Sequence, residues 1–109
     1  MVTLTAILKC AIADAEAVQA ALLQVVEQVR ANEPGTLGYF VARSNEDATA
    51  VFTTYERFAD ETAMETHNGS PAVAQFFETA GPLLTEPATV VVAQEIAVKP
   101  SNETHSNIA

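Results

Sequence analysis

At 109 residues the chain has room for one hydrophobic core, and its 49% hydrophobic content includes no apolar run near the roughly 20 residues that span a bilayer. Five Lys and Arg against fourteen Asp and Glu leave a net charge of -9, which repels a phosphate backbone and anionic lipid and so argues against nucleic acid and membrane as partners. The amino-terminal MVTLTAILK lacks a charged leader and a cleavage signal, so a soluble, cytoplasmic protein is expected.

Residues 2–9 alternate, with Val2, Leu4, Ala6 and Leu8 facing one way and Thr3, Thr5, Ile7 and Lys9 the other, which predicts a strand with one buried face. Cys10 is the single cysteine, so no intrachain disulfide and no thiolate metal cluster can form. Asp14 is placed to cap a helix in which Val18, Leu22, Val25, Val26 and Val29 recur at helical spacing, ending at Asn32 because Glu33-Pro34-Gly35 cannot continue it. Residues 37–44 and 50–57 read as two antiparallel strands joined by the polar connection Asn45-Glu46-Asp47.

Asp60 starts a short helix to about Thr66, and Ser70 with Pro71 starts another that runs to Ala80, serine as cap and proline at the first helical position. Residues 88–98, rich in β-branched side chains, predict a closing strand. Residues 1–100 are read as one domain and 101–109 as a polar, frayed tail.

This order is the ferredoxin-like split βαβ arrangement, β-α-β-β-α-β, an α+β fold with a four-stranded antiparallel sheet covered by helices on one face. In the hairpin, Leu37, Tyr39 and Val41 alternate with Phe40, while Val51 and Tyr55 oppose Phe52 and Phe58, so both sheet faces carry large apolar groups. Helices cover one face only. The other requires a second sheet, which predicts a homodimer packed face to face.

His67 is the chemical candidate of the body, since an imidazole titrates near neutrality and serves as base, acid or donor; the alternative is a helix-end histidine serving the last carbonyls. The other histidine, His105, lies in the tail, and no HExxH occurs, so no metal site is expected. Glu56 shares a nominal face with Phe52 and Thr54, where desolvation would raise its pKa; the alternative is a strand-end salt bridge or cap. By alternation Tyr39 and Tyr55 can share one face, and Met64, Phe76 and Phe77 can line an apolar pocket or simply belong to the core.

EPGTLGYFVARS followed by FTTYERFADETAMETHNGSPAVAQFFE resembles the antibiotic biosynthesis monooxygenase family, with its quinol monooxygenases and small dimeric α+β barrels. The resemblance rests on Glu33-Pro34-Gly35, Tyr55-Glu56-Arg57-Phe58, His67 and Ser70-Pro71, in a layout spanning residues 2–98. It implies a dimeric enzyme that oxidises a quinol-like or polyphenolic aromatic with O₂ and without a cofactor. It further implies His67 as base, Glu56 and Tyr55 as orienting or donating groups, and Phe52, Met64, Phe76, Phe77 and Tyr39 around the substrate. Haem-degrading relatives use a tryptophan and an asparagine of the first strand; this chain has no tryptophan and carries Thr5 and Ala6 there. Other relatives isomerise phosphorylated sugars, for which Arg43 and Arg57 are the basic candidates here, and a dimeric protein that binds small molecules without catalysis is the alternative from another class.

Overall fold

The alternating amino-terminal segment forms β1 (Val2–Ala11), whose Val2, Leu4, Ala6, Leu8 and Cys10 are buried in a single row. The structure, a computed structural model, describes residues 1–99; the tail expected at 101–109, with His105, lies outside the described residues. A single 3₁₀ turn at Ile12–Asp14 leads into α1 (Ala15–Asn32), and Asp14 stands at the cap position without bonding through its side chain, contrary to the expected cap. The helix ends where Pro34 requires it to end.

The hairpin comprises β2 (Thr36–Glu46) and β3 (Thr49–Phe58), joined at Asp47-Ala48, with Asp47 at φ 55. The two-residue turn corrects the expected connection Asn45-Glu46-Asp47, and with it the register. A three-residue connection pairs residues of like parity, whereas this turn pairs Glu46 with Thr49 and hence Tyr39 with Glu56 and Phe40 with Tyr55. Tyr39 and Tyr55 therefore lie on opposite faces. An irregularity between Thr36 and Gly38 leaves Leu37 exposed instead of aligned with Tyr39 and Val41.

The second helical stretch is broken into α2 (Glu61–Asn68) and α3 (Pro71–Ala80), and each start is capped as the sequence predicts. Ala63 N–H donates to Asp60 Oδ1 at 2.8 Å and Val73 N–H to Ser70 Oγ at 3.3 Å. The closing strand β4 (Thr89–Gln94) is shorter than expected. The sheet is antiparallel with order β2-β3-β1-β4, the ferredoxin-like arrangement. Among the described residues no helix is long and apolar enough to cross a membrane.

Val18, Leu22, Val25 and Val29 of α1 and Phe76 and Ala80 of α3 pack on Leu8, Cys10, Ala50 and Phe52 of the sheet. Val2, Leu4, Ala6 and Phe58 form a second cluster, closed by Ala63 and Met64 of α2. Phe52 and Phe58, 1% and 0% exposed, each contribute on the order of 1.5–3 kcal/mol through burial. Among the described residues no helix lies over the opposite face: across its middle run Phe40, Tyr55, Thr5 and Val91, with Phe40 59% and Val91 55% exposed.

Candidate functional site

Between the helix-side face of the sheet and the helices lies a cavity of about 470 Å³. Leu4, Ala6 and Leu8 form its floor, Leu22 and Val25 belong to α1, and Val73, Phe76 and Phe77 come from α3. Its polar side groups include Thr54, Glu56 and His67, and among the described residues neither lysine nor arginine lines it.

Local backbone chemistry explains how His67 reaches the interior. The break after α2 is closed by Ser70 N–H donating to the His67 carbonyl at 3.0 Å, while the imidazole turns inward and is 3% exposed. It is therefore not spent on the helix end. Its Nδ1 lies 2.8 Å from Glu33 Oε1 and its Nε2 3.4 Å from Glu56 Oε1, with Tyr39 and Phe58 rings at 5.4 and 5.5 Å.

Glu33 comes from the turn after α1, where its Oε1 also accepts from Thr36 Oγ1 at 2.8 Å. The turn is docked by Ala59 N–H donating to the Gly35 carbonyl at 2.9 Å. A Cβ on Gly35 would meet the Ala63 Cβ at 2.8 Å, so only glycine lets the turn lie this close to α2 and lets Glu33 reach His67.

Glu56 enters from β3 with its side chain 5% exposed. Burial pushes its carboxyl above the ordinary value of 4.5, the Thr54 hydroxyl and the His67 charge pull it down, and Glu33 adds to the rise. Thr54 Oγ1 donates to Glu56 Oε2 at 2.7 Å, whereas Glu56 Oε1 and Glu33 Oε2 are buried without a hydrogen-bond partner among the described residues. Tyr39, beside the imidazole, has its phenol raised by burial and then by the charges of Glu56 and Glu33. The cluster is rich in acceptors and poor in donors, which favours taking a proton from a bound hydroxyl.

The structure brings His67, Glu56, Tyr39, Phe76 and Phe77 together at this cavity. Three expected site residues lie elsewhere. Tyr55 is on the open face, donating to Glu95 Oε2 at 2.9 Å, because the two-residue turn sets its register opposite to that of Tyr39. Phe52 is sealed in the core beneath the Arg43 guanidinium, 5.6 Å from its ring centre, and Met64 packs on the cluster around Phe58. Glu33 escaped the sequence reading as a site residue; its only signal was the Glu33-Pro34-Gly35 turn.

The family model described as antibiotic biosynthesis monooxygenase matches residues 1–79. Among solved structures, a Caulobacter crescentus protein provisionally named as an antibiotic biosynthesis monooxygenase is similar at TM-score 0.80 and 26% identity, over 88% of this chain and 90% of that one. Rv0793 from Mycobacterium tuberculosis matches at TM-score 0.80 and 25% identity, over 91% of this chain and 98% of its own. PA3566 from Pseudomonas aeruginosa matches at 0.76 and 27%, over 88% and 94%. No curated protein matches.

Proposed function

The chain belongs to the antibiotic biosynthesis monooxygenase family, and from that premise we propose that its cavity oxidises a quinol-like or polyphenolic aromatic with O₂, without a cofactor. The observation that carries this reading is a buried carboxylate with an unpartnered oxygen, Glu56, beside His67 on the wall of a mainly apolar cavity. The volume of about 470 Å³ falls within the roughly 300–1,000 Å³ usual for small-molecule sites.

The chemistry follows from a proton. The Glu56–His67 couple accepts the proton of a substrate hydroxyl, and the aryloxide left behind is a far stronger reductant than the neutral phenol. It passes one electron to O₂, the resulting radical pair joins at a ring carbon, and the couple returns its proton to the peroxide anion so formed. Loss of water from that hydroperoxide gives the hydroxylated quinone, so one quinol and one O₂ yield one hydroxyquinone and one water. Tyr39, Phe76 and Phe77 supply aromatic walls that hold the ring and keep water from the aryloxide. An isomerase of a phosphorylated sugar is disfavoured by a lining without lysine or arginine, since a dianion needs such partners.

The test is oxygen uptake with a panel of reduced naphthoquinols, corrected for autoxidation. Enzyme-dependent uptake with a hydroxyquinone product is expected; binding of the panel without uptake would instead make this a non-catalytic binding protein.

The same proposal includes a homodimer joined through the open sheet face, supported by the exposed row of Phe40, Tyr55 and Val91. Light scattering at micromolar concentration is expected to give twice the chain mass, and a monomer there would remove the dimer.

A further inference from the structure

We propose that Glu33 is a positioning residue that, through His67 Nδ1, makes the Glu56–His67 couple able to take up a second proton. This inference rests on the reading of the cavity as a site that deprotonates a hydroxylated aromatic.

The first step is geometric. Glu33 Oε1 receives the Thr36 hydroxyl at 2.8 Å and faces His67 Nδ1 at 2.8 Å. With Glu33 as a carboxylate, which has no hydrogen to give, the contact requires the hydrogen on Nδ1 and leaves Nε2 turned to Glu56. Glu56 Oε2 is occupied by Thr54, which leaves Oε1 to face Nε2 at 3.4 Å. No hydrogen bond joins the two atoms at that distance, and without a proton their lone pairs would face each other and repel, so in this proposal the couple holds one proton at rest, on Oε1 or on Nε2.

The second step concerns charge. When a substrate hydroxyl gives up its proton, its O–H bond breaks and the couple holds two protons, with Glu56 neutral and His67 an imidazolium. In a cavity without other fixed charge this cation would be costly. Glu33 lies against the imidazolium with its side chain 6% exposed, and its negative charge cancels the positive one. The substrate proton thus arrives in a neutral Glu33–His67–Glu56 group, and the new negative charge resides on the aryloxide. Among the described residues Tyr39 is the remaining titratable group facing the ring, and burial raises its phenol and so favours the neutral form.

Three measurements test the proposal in the full chain, in a His105→Gln background that leaves His67 as the sole histidine. Imidazole ¹⁵N shifts of the unliganded protein are expected to show hydrogen on Nδ1; hydrogen on Nε2 alone would overturn the proposal. Glu33→Gln keeps an acceptor oxygen but loses the charge, so the Nδ1 hydrogen is expected to persist while kcat for quinol oxidation falls at least about tenfold with KM little changed. A purely structural role predicts no such split, and wild-type kcat in a folded Glu33→Gln protein would sink the idea.

Bound 1-naphthol, followed by its aryloxide absorbance, supplies the readout that needs no oxygen chemistry. It is expected to ionise at lower pH in the wild type than in Glu33→Gln, and equal ionisation in both would also refute the role of Glu33. Failure of every quinol to consume oxygen, with the naphthol difference intact, would remove the oxidase reading and leave the proton acceptor standing.

Discussion

The two faces of the sheet each carry a small ionic cluster, and the clusters are built to opposite rules. On the open face Arg57 donates to both oxygens of Glu95, at 2.9 and 2.8 Å, and Tyr55 adds a third bond to the same carboxylate. Bonding to Arg57, then Tyr55, holds the Glu95 carboxyl below its ordinary range. On the helix side His67 lies between Glu33 and Glu56, and each carboxylate keeps one buried oxygen without a partner. A carboxylate with every bond made is a fastener. One left short of donors can accept a proton from something that binds.

The strongest way to break this comparison is Glu56→Gln. It keeps the shape and removes the acceptor, so quinol-dependent oxygen uptake is expected to fall by about 10²–10⁴-fold, the usual worth of a general base. Circular dichroism and thermal unfolding are expected to show a folded protein, because an amide oxygen can still accept from Thr54 and Oε1 has no hydrogen bond to lose. Unchanged uptake in a folded variant would show that the cluster holds the structure and does no chemistry.

Gly35→Ala attacks the link that assembles the helix-side cluster. The added Cβ lands 2.8 Å from the Ala63 Cβ, so the turn must back away from α2 and carry Glu33 with it. Overpacking of this kind costs about 1–3 kcal/mol, and the turnover of quinol is expected to fall with it. Full stability together with full turnover would mean that the close approach of the turn is immaterial.

The same glycine marks where the sequence stops being legible. Strand alternation placed Glu56 on the face of Phe52 and Thr54, and Ser70-Pro71 located the helix restart, because both are local signals read within a few residues. Glu33 meets His67 across 34 positions, a pairing set by the docking of a turn against a helix, and no periodicity encodes it. Tyr55 was misplaced for a smaller reason: shortening the hairpin connection by one residue exchanges the faces of every side chain on one strand relative to the other. The cavity walls were partly legible, since Phe76 and Phe77 follow from helical spacing while Phe52 and Met64 differ from them only in tertiary surroundings.

The two clusters also differ in the sign of their pH dependence. Glu95 has a folded pKa below its ordinary 4.5, so its contribution is present above that value and is lost as pH falls through the lowered one. Glu56 has a folded pKa above 4.5, so the folded state binds the extra proton and stability declines as pH rises from that value through the raised one. Thermal unfolding between about pH 3 and 8 is expected to separate them. Glu95→Gln should flatten the acid limb, Glu56→Gln should flatten the decline toward neutral pH, and the reverse pattern would show the two carboxylates misassigned.

The smallest expected effect is that of Tyr55→Phe, and it bears on the boundary between the two faces. The hydroxyl donates to a carboxylate that Arg57 already holds through both oxygens, so its loss leaves Glu95 paired. The ring stays against Phe40, 6.4 Å between centres, and the sheet separates it from His67. Quinol turnover and its pH profile are therefore expected to stay within about twofold of wild type, as for substitutions that open no cavity and strand no buried group. A large loss of kcat would require the open face to reach the chemistry, and in a face-to-face dimer the route would be the partner's sheet. Measured on the dimer and on dilute monomer, the variant would then distinguish a residue that acts across the interface from one that only fastens its own strand.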